Sequence, residues 1–131
     1  LCGPLTNVSA TIRHSGNLDI ETEDIVDILA TGKEYSSVSI HLDYQNLFLK
    51  RTVAVQADGV SLLGDLVHNT LQTQDGTEKY DVERNTTYEA QWHDILASPE
   101  PMACNFTEGL AVLNFIIAVE QAAASHIWKK I

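Results

Sequence analysis

Hydrophobic and polar positions alternate most regularly between residues 37 and 44. One side of this stretch carries Val38, Ile40, Leu42 and Tyr44, and the other carries Ser37, Ser39, His41 and Asp43. Successive side chains of a β-strand point to opposite faces of the sheet. The period of two therefore predicts a strand with one buried face and one polar face.

Six further stretches have the composition of short strands, because they are rich in β-branched and other apolar residues. They are residues 8–13, 24–30, 49–57, 60–66, 67–72 and 79–82. The stretch 24–30 could also form a short helix, but Thr31-Gly32-Lys33 favours a tight reversal between strands. Further turn signals stand at Asp58-Gly59 and Asp75-Gly76. Strands joined by such short turns pair antiparallel, which predicts a meander.

Residues 85–96 have the pattern of an amphipathic helix. Tyr88, Trp92 and Ile95 recur on one helical face, and Asn85 stands in front of them as an N-cap candidate. Pro99 follows the stretch and interrupts any continuation of the helix.

Residues 107–124 predict a second, longer helix. Asn105 and Glu108 have the spacing of a capping box in front of it. The stretch is apolar nearly all the way round, so we expect it to be buried on more than one side. Glu120 and Gln121 interrupt it, and we expect it to be too short to cross a membrane. Strands first and helices last indicate an α+β fold: an open, largely antiparallel meander sheet with two C-terminal helices packed on one face.

Composition places the chain among globular proteins. Its 131 residues are 44% hydrophobic, which predicts one domain, residues 1–131. The formal charge of −10 argues against nucleic acid and against an anionic membrane surface, since both need basic residues. Cys2 and Cys104 have no metal-ligand spacing, which favours the reducing cytoplasm over a disulfide between them. The chain opens with neither Met nor a signal peptide pattern, so we expect a piece of a longer polypeptide.

Local motifs for common chemistries are missing. The sequence has no GxGxxG, no Walker loop, no HExxH and no GxSxG. We therefore predict no catalytic, cofactor-binding or metal-ligating residue. His41 and Asp43 share one face of a strand and could form a base with its orienting carboxylate, although a solvated polar pair is the more common meaning of such a pattern. Arg84 and Tyr88 cluster where the strands give way to helices and could reach a ligand, but a helix cap with a core aromatic residue explains them equally simply.

The order of several stretches resembles a known family. They are residues 41–44 (His-Leu-Asp-Tyr), 58–65 (Asp-Gly-Val-Ser-Leu-Leu-Gly-Asp), 83–88 (Glu-Arg-Asn-Thr-Thr-Tyr), the loop with Pro99 and Pro101, and 108–113 (Glu-Gly-Leu-Ala-Val-Leu). Together they are similar to the C-terminal domain of the glucose–fructose oxidoreductase/inositol dehydrogenase (Gfo/Idh/MocA) family. The resemblance covers nearly the whole chain.

The resemblance implies a two-domain parent enzyme. Its N-terminal Rossmann domain would bind NAD or NADP and supply a catalytic lysine from a Glu-Lys-Pro motif, while the C-terminal domain shapes the pocket for a sugar, nucleotide sugar or cyclitol. This sequence contains neither the Rossmann fingerprint nor Glu-Lys-Pro, so no catalytic residue carries over. The chain by itself is expected to be inactive and to bind no dinucleotide.

Three residues remain as candidates for contact with the substrate: Arg84, Tyr88 and His41. The resemblance also implies a homo-oligomer formed through the sheet, with Ser39 and His41 on the pairing face. The alternative is a free-standing, non-enzymatic α+β binding or scaffold module.

Overall fold

The computed structural model describes residues 4–16, 18–33, 37–98 and 102–131. These residues form eight strands and two helices, in the order β1 (Leu5–Arg13), β2 (Ile25–Gly32), β3 (Val38–Asp43), β4 (Thr52–Ala57), β5 (Val60–Asp65), β6 (Thr70–Thr73), β7 (Gly76–Lys79), α1 (Thr86–Ala97), α2 (Phe106–Ser125) and β8 (Lys129–Lys130). The chain divides into two compact units. The first contains β1–β3, α2 and β8, and the second contains β4–β7 and α1.

The first unit is an antiparallel sheet covered on one face by a helix. The strand order is β3-β2-β1-β8, and the pairing of β1 with β2 and of β2 with β3 is antiparallel. One face of the sheet carries the core, to which β1, β2 and α2 contribute Val8, Ala10, Val26, Ile28, Ala30, Ala118, Val119 and Ala122. Val38 and Ile40 pack against this core, as predicted for β3. Leu42 and Tyr44, which the prediction placed on the same side, are exposed, so the buried side of β3 is shorter than predicted.

Helix α2 begins at the predicted capping box. The Asn105 side chain accepts a hydrogen bond from the Glu108 N–H at 3.0 Å, and the Glu108 carboxylate accepts one from the Asn105 N–H at 2.9 Å. These two bonds satisfy backbone donors that the first turn leaves without helical partners. The helix ends at His126, whose φ of 56° is left-handed, and the chain then enters β8 beside β1. The last residues of the chain thus include a two-residue strand.

The structure buries only one face of α2. Ala118, Val119 and Ala122 pack on the sheet, and the small alanine side chains let the helix backbone approach it closely. Leu113 and Ile117 stay half exposed, so the expected burial on more than one side is not found within the described residues.

Helix α2 is also longer than its sequence suggested. By length and composition it could span a membrane, since it has 20 residues and a mean hydropathy of 1.3. The expectation that the stretch is too short is therefore wrong. Core helices of soluble proteins meet the same criterion, and α2 packs on β1 and β8 by one face.

The second unit is an antiparallel sheet in the order β4-β5-β6-β7. The register gives it one apolar face, which carries Val53, Val55, Val60, Leu62 and Leu71. All the fully buried residues belong to the first unit as far as the structure describes the chain. Helix α1 follows β7 and contains no buried residue.

The α+β class and the antiparallel strands are confirmed. The last strand of the second sheet is β7 at Gly76–Lys79 and not the predicted 79–82, and two further details differ. The strands form two four-stranded sheets rather than one meander, and residues 44–51 between β3 and β4 form no strand. Strand β6 begins only at Thr70, because Asp65 accepts hydrogen bonds from the Val67 and His68 N–H groups and closes a turn. Three residues of the sequence analysis lie outside the described residues: Pro99, Pro101 and Cys2, the possible disulfide partner of the exposed Cys104. The assignment of residues 1–131 to one domain stays a prediction.

Candidate functional site

The outer face of the first sheet carries a cluster of polar side chains. Asp27 lies in the central strand β2, directly opposite Thr11 of β1 on one side and His41 of β3 on the other. Arg13 and Asp43 form the next row of the same face, two residues further along their strands. The alternation that sends the apolar residues of these strands to α2 therefore brings their titratable residues together on the opposite face.

Asp27 links a basic side chain on either side. His41 Nδ1 lies 2.6 Å from Asp27 Oδ1, and Arg13 Nη2 lies 3.3 Å from Asp27 Oδ2. The His41 hydrogen bond is the main reason why the pKa of Asp27 is lowered, and Arg13 adds to it against the cost of desolvation. All three side chains remain about half exposed.

The sequence pointed to Asp43 as the partner of His41, and the structure gives a closer one. His41 Nε2 lies 3.8 Å from Asp43 Oδ2, whereas its Nδ1 bonds to Asp27. Asp27 lies 14 residues from His41 and only strand pairing brings it near, so no local signal could have identified it. The hydrogen bond to Asp27 orients the imidazole of His41, as the carboxylate partner of a general base does. No group of three possible metal ligands occurs among the described residues.

Asp24 forms a second polar cluster in the first unit, and it is 1% exposed. Its carboxylate accepts hydrogen bonds from the Ser15 N–H at 2.9 Å, from the Ser15 hydroxyl and from Gln45 Nε2 at 2.8 Å. The Ser15 hydroxyl contributes most to the lowered pKa of Asp24. The Asp24 backbone carbonyl accepts the Tyr44 N–H at 2.9 Å. Asp24 thus ties the end of β1, the start of β2 and the end of β3 together, a structural role that the sequence analysis missed.

The other two candidate residues lie in the second unit. Arg84 stands in the turn before α1, and no ion pair to it occurs in the described part of the chain. Tyr88 lies in the first turns of α1 and is 65% exposed. Asn85 is the N-cap as predicted, but its side chain makes no capping hydrogen bond. His41 belongs to the first unit, so neither unit assembles all three candidates, and their contact with a substrate stays a prediction.

The second unit also has a shallow depression of about 300 Å³ on the polar face of its sheet. Uncharged side chains surround it, among them Gln56, Ser61, Leu63 and Gln72. Neither Arg84 nor Tyr88 lines this depression. Its lining offers the amides of three glutamines, the hydroxyls of Ser61 and Thr73 and no charged group.

The described residues do not fit a dinucleotide. Pyrophosphate binding needs a glycine-rich turn between a strand and a helix, within a parallel sheet. Both sheets here are antiparallel, and the N-terminus of α2 is already occupied by the Glu108 carboxylate, which would repel an anion.

No protein-family model and no curated protein matches the sequence. Solved structures do match the fold. An oxidoreductase domain protein from Kribbella flavida superimposes with a TM-score of 0.81 at 14% identity, over 97% of this chain and 44% of that chain. An aldose–aldose oxidoreductase from Caulobacter crescentus, complexed with glycerol, gives 0.75 at 18% identity over 97% and 41%. The WlbA dehydrogenase from Bordetella pertussis, in complex with NADH and UDP-GlcNAcA, gives 0.70 at 19% identity over 98% and 40%.

These matches confirm the resemblance at the level of the fold. Nearly the whole chain has the fold found in part of oxidoreductases of the Gfo/Idh/MocA type. The chain spans less than half the length of the structures that it matches. At identities below 20%, the likeness concerns the course of the backbone and not individual site residues.

Proposed function

We propose that this chain is the C-terminal, substrate-side domain of an NAD(P)-dependent oxidoreductase. The enzyme would transfer a hydride between the nicotinamide and a sugar, a nucleotide sugar or a cyclitol. The fold match carries the proposal, because it covers nearly all of this chain and less than half of each matched oxidoreductase. The substrate class is supported by the nucleotide sugar bound to the Bordetella enzyme and by the aldose named for the Caulobacter enzyme.

The proposal assigns the dinucleotide and the substrate to different domains. The described residues offer no cradle for pyrophosphate, and we propose that NAD or NADP binds to an N-terminal Rossmann domain of the same parent polypeptide. This chain would shape the substrate pocket, with Arg84, Tyr88 and His41 as candidate contacts, and would have no activity alone. The outer face of the first sheet would contribute to a homo-oligomer, and the parent would act in the cytoplasm.

Turnover by the polypeptide that the whole gene encodes tests the proposal. Purified parent protein is incubated with NAD or NADP and a panel of sugars, nucleotide sugars and cyclitols, and the formation of NADH or NADPH is followed by absorbance. We expect one of these substrates to be oxidised, and the 131-residue chain alone to produce no signal. A parent that binds neither dinucleotide would refute the proposal and leave the non-enzymatic binding module in its place.

Variants of the parent then test the candidate contacts. We expect Arg84→Gln and Tyr88→Phe to raise the KM for the substrate and to leave the KM for the dinucleotide unchanged. His93→Gln, an exposed change in the same helix, is the matched control. Equal kinetics of all three variants would remove Arg84 and Tyr88 from the substrate site.

A further inference from the structure

Four strand edges lie open in the two sheets: β3 and β8 in the first, and β4 and β7 in the second. An open edge exposes unpaired N–H and C=O groups, and natural proteins protect such edges with charged residues or very short strands. Strand β3 carries Asp43, β7 carries Glu78 and Lys79, and β8 consists of two lysines. Three of these four edges are therefore protected.

Strand β4 has none of these protections. Its sequence, Thr-Val-Ala-Val-Gln-Ala, contains no charge, proline or glycine, and its register against β5 runs without a bulge. Five of its six residues are exposed. A flat, uncharged strand with a free edge is a surface prepared for pairing with another strand.

The hydrogen bonds to β5 define which groups of β4 are free. The Leu66 N–H donates to the Arg51 carbonyl at 2.8 Å. In an antiparallel pair the bonded positions alternate, so Val53 and Val55 also point their backbone groups towards β5. The N–H and C=O groups of Thr52, Ala54 and Gln56 consequently point away from the sheet.

We propose that β4 pairs antiparallel with β4 of a second copy of this chain, about a two-fold axis at Ala54. Only the outward-pointing N–H and C=O groups of Thr52, Ala54 and Gln56 can bond to another strand. The register that pairs all three of them sets Ala54 opposite Ala54 and Thr52 opposite Gln56. In the same register Val53 lies opposite Val55. The sheet β4-β5-β6-β7 of one copy and the same sheet of the second copy then form one continuous sheet of eight strands.

Side-chain complementarity selects a second copy as the partner. Thr52 and Gln56 form a polar pair on one face, and Val53 and Val55 form a β-branched pair on the other, both of which are favourable across strands. The small Ala54 leaves room for its own counterpart at the axis.

This interface is separate from the outer face of the first sheet, and it does not depend on enzymatic activity. Sedimentation equilibrium of the 131-residue chain measures it directly, with a dimer expected. Ala54→Lys sets two like charges against each other at the axis and should weaken the dimer about fivefold or more, and Ala54→Glu should do the same. An equal mixture of the two variants should restore association, since Lys then faces Glu.

Thr77→Lys is the matched control, because it adds a lysine to the same face at the opposite edge of the same sheet. We expect it to leave the dimer unchanged. A chain that stays monomeric, a dimer that tolerates Ala54→Lys, or a mixture that fails to recover would each overturn the proposal. Dinucleotide-dependent turnover of the parent is a separate measurement, so failure of the interface and failure of the proposed function give different results.

Discussion

The same substitution at two positions of α2 tests which of its faces packs on the sheet. Val119 is 5% exposed and belongs to the core, whereas Val112 is 55% exposed. We predict that Val119→Ala destabilises the first unit strongly and that Val112→Ala has almost no effect. Both changes remove the same two methyl groups from the same helix, so each is the control for the other.

The magnitude follows from burial. Removal of two buried methyl groups at Val119 costs about 1.6 kcal/mol of transfer free energy. The small cavity left behind adds about 1 kcal/mol, because a packed core relaxes only in part. The higher helix propensity of alanine returns about 0.6 kcal/mol. The net loss in the free energy of unfolding is about 2 kcal/mol for Val119→Ala. At the half-exposed Val112 the transfer cost is smaller, and the higher helix propensity of alanine nearly offsets it, so the free energy of unfolding changes by less than about 0.5 kcal/mol.

Urea unfolding of the 131-residue chain measures both values. Trp128 precedes β8 in the first unit and Trp92 lies in α1 of the second, so a Trp92→Phe background lets the fluorescence of Trp128 report on the first unit alone. A loss of about 2 kcal/mol lowers the midpoint by about 1 M at an m-value of about 2 kcal/mol/M. Equal midpoints for the two variants, or a larger loss for Val112→Ala, would refute the packing of α2 described here.

Three further predictions concern polar contacts. The hydrogen bond to His41 lowers the pKa of Asp27, so this contact stabilises the fold above the ordinary Asp pKa of about 4, and its contribution is lost as the pH falls through the lowered value. Between pH 7 and pH 3 the urea midpoint of Asp27→Asn should therefore fall less than that of the native chain. Equal falls would contradict this prediction. Asp24→Asn places amide donors against the donors that Asp24 now accepts, so its urea midpoint at pH 7 should drop clearly below that of the exposed control Asp19→Asn, and matching midpoints would contradict the buried cluster. Asn105→Ala removes the cap of α2 and should cost about 1 kcal/mol, seen as a lower melting temperature by circular dichroism; an unchanged temperature would mean that the capping box contributes nothing.

Local signals in the sequence identified the elements whose causes are local. The capping box of α2 follows from Asn105 and Glu108, and the structure confirms it. The helix itself was located to within one residue at each end. The alternation in β3 likewise predicted that Val38 and Ile40 face the core, although not that Leu42 is exposed. Each of these depends on residues only a few positions apart.

Features that depend on strand pairing could not be predicted in this way. The contact between Asp27 and His41 spans 14 residues, and that between Asp24 and Gln45 spans 21. The division into two sheets is set by which edges pair, and one residue of register would move Asp27 to the other face. The packed face of α2 was also hidden, because its alanines are less conspicuous than the larger Leu113 and Ile117 that remain exposed.

The sequence encoded immediately upstream of Leu1 is the most direct test of the central claim, that this chain is one domain of an NAD(P)-dependent oxidoreductase. The proposal predicts a further domain of on the order of 150 residues there, with a strand, a GxGxxG turn and a helix, followed by a Glu-Lys-Pro motif. A start codon a few residues before Leu1 would contradict the claim, because the chain would then lack any dinucleotide-binding domain of its own.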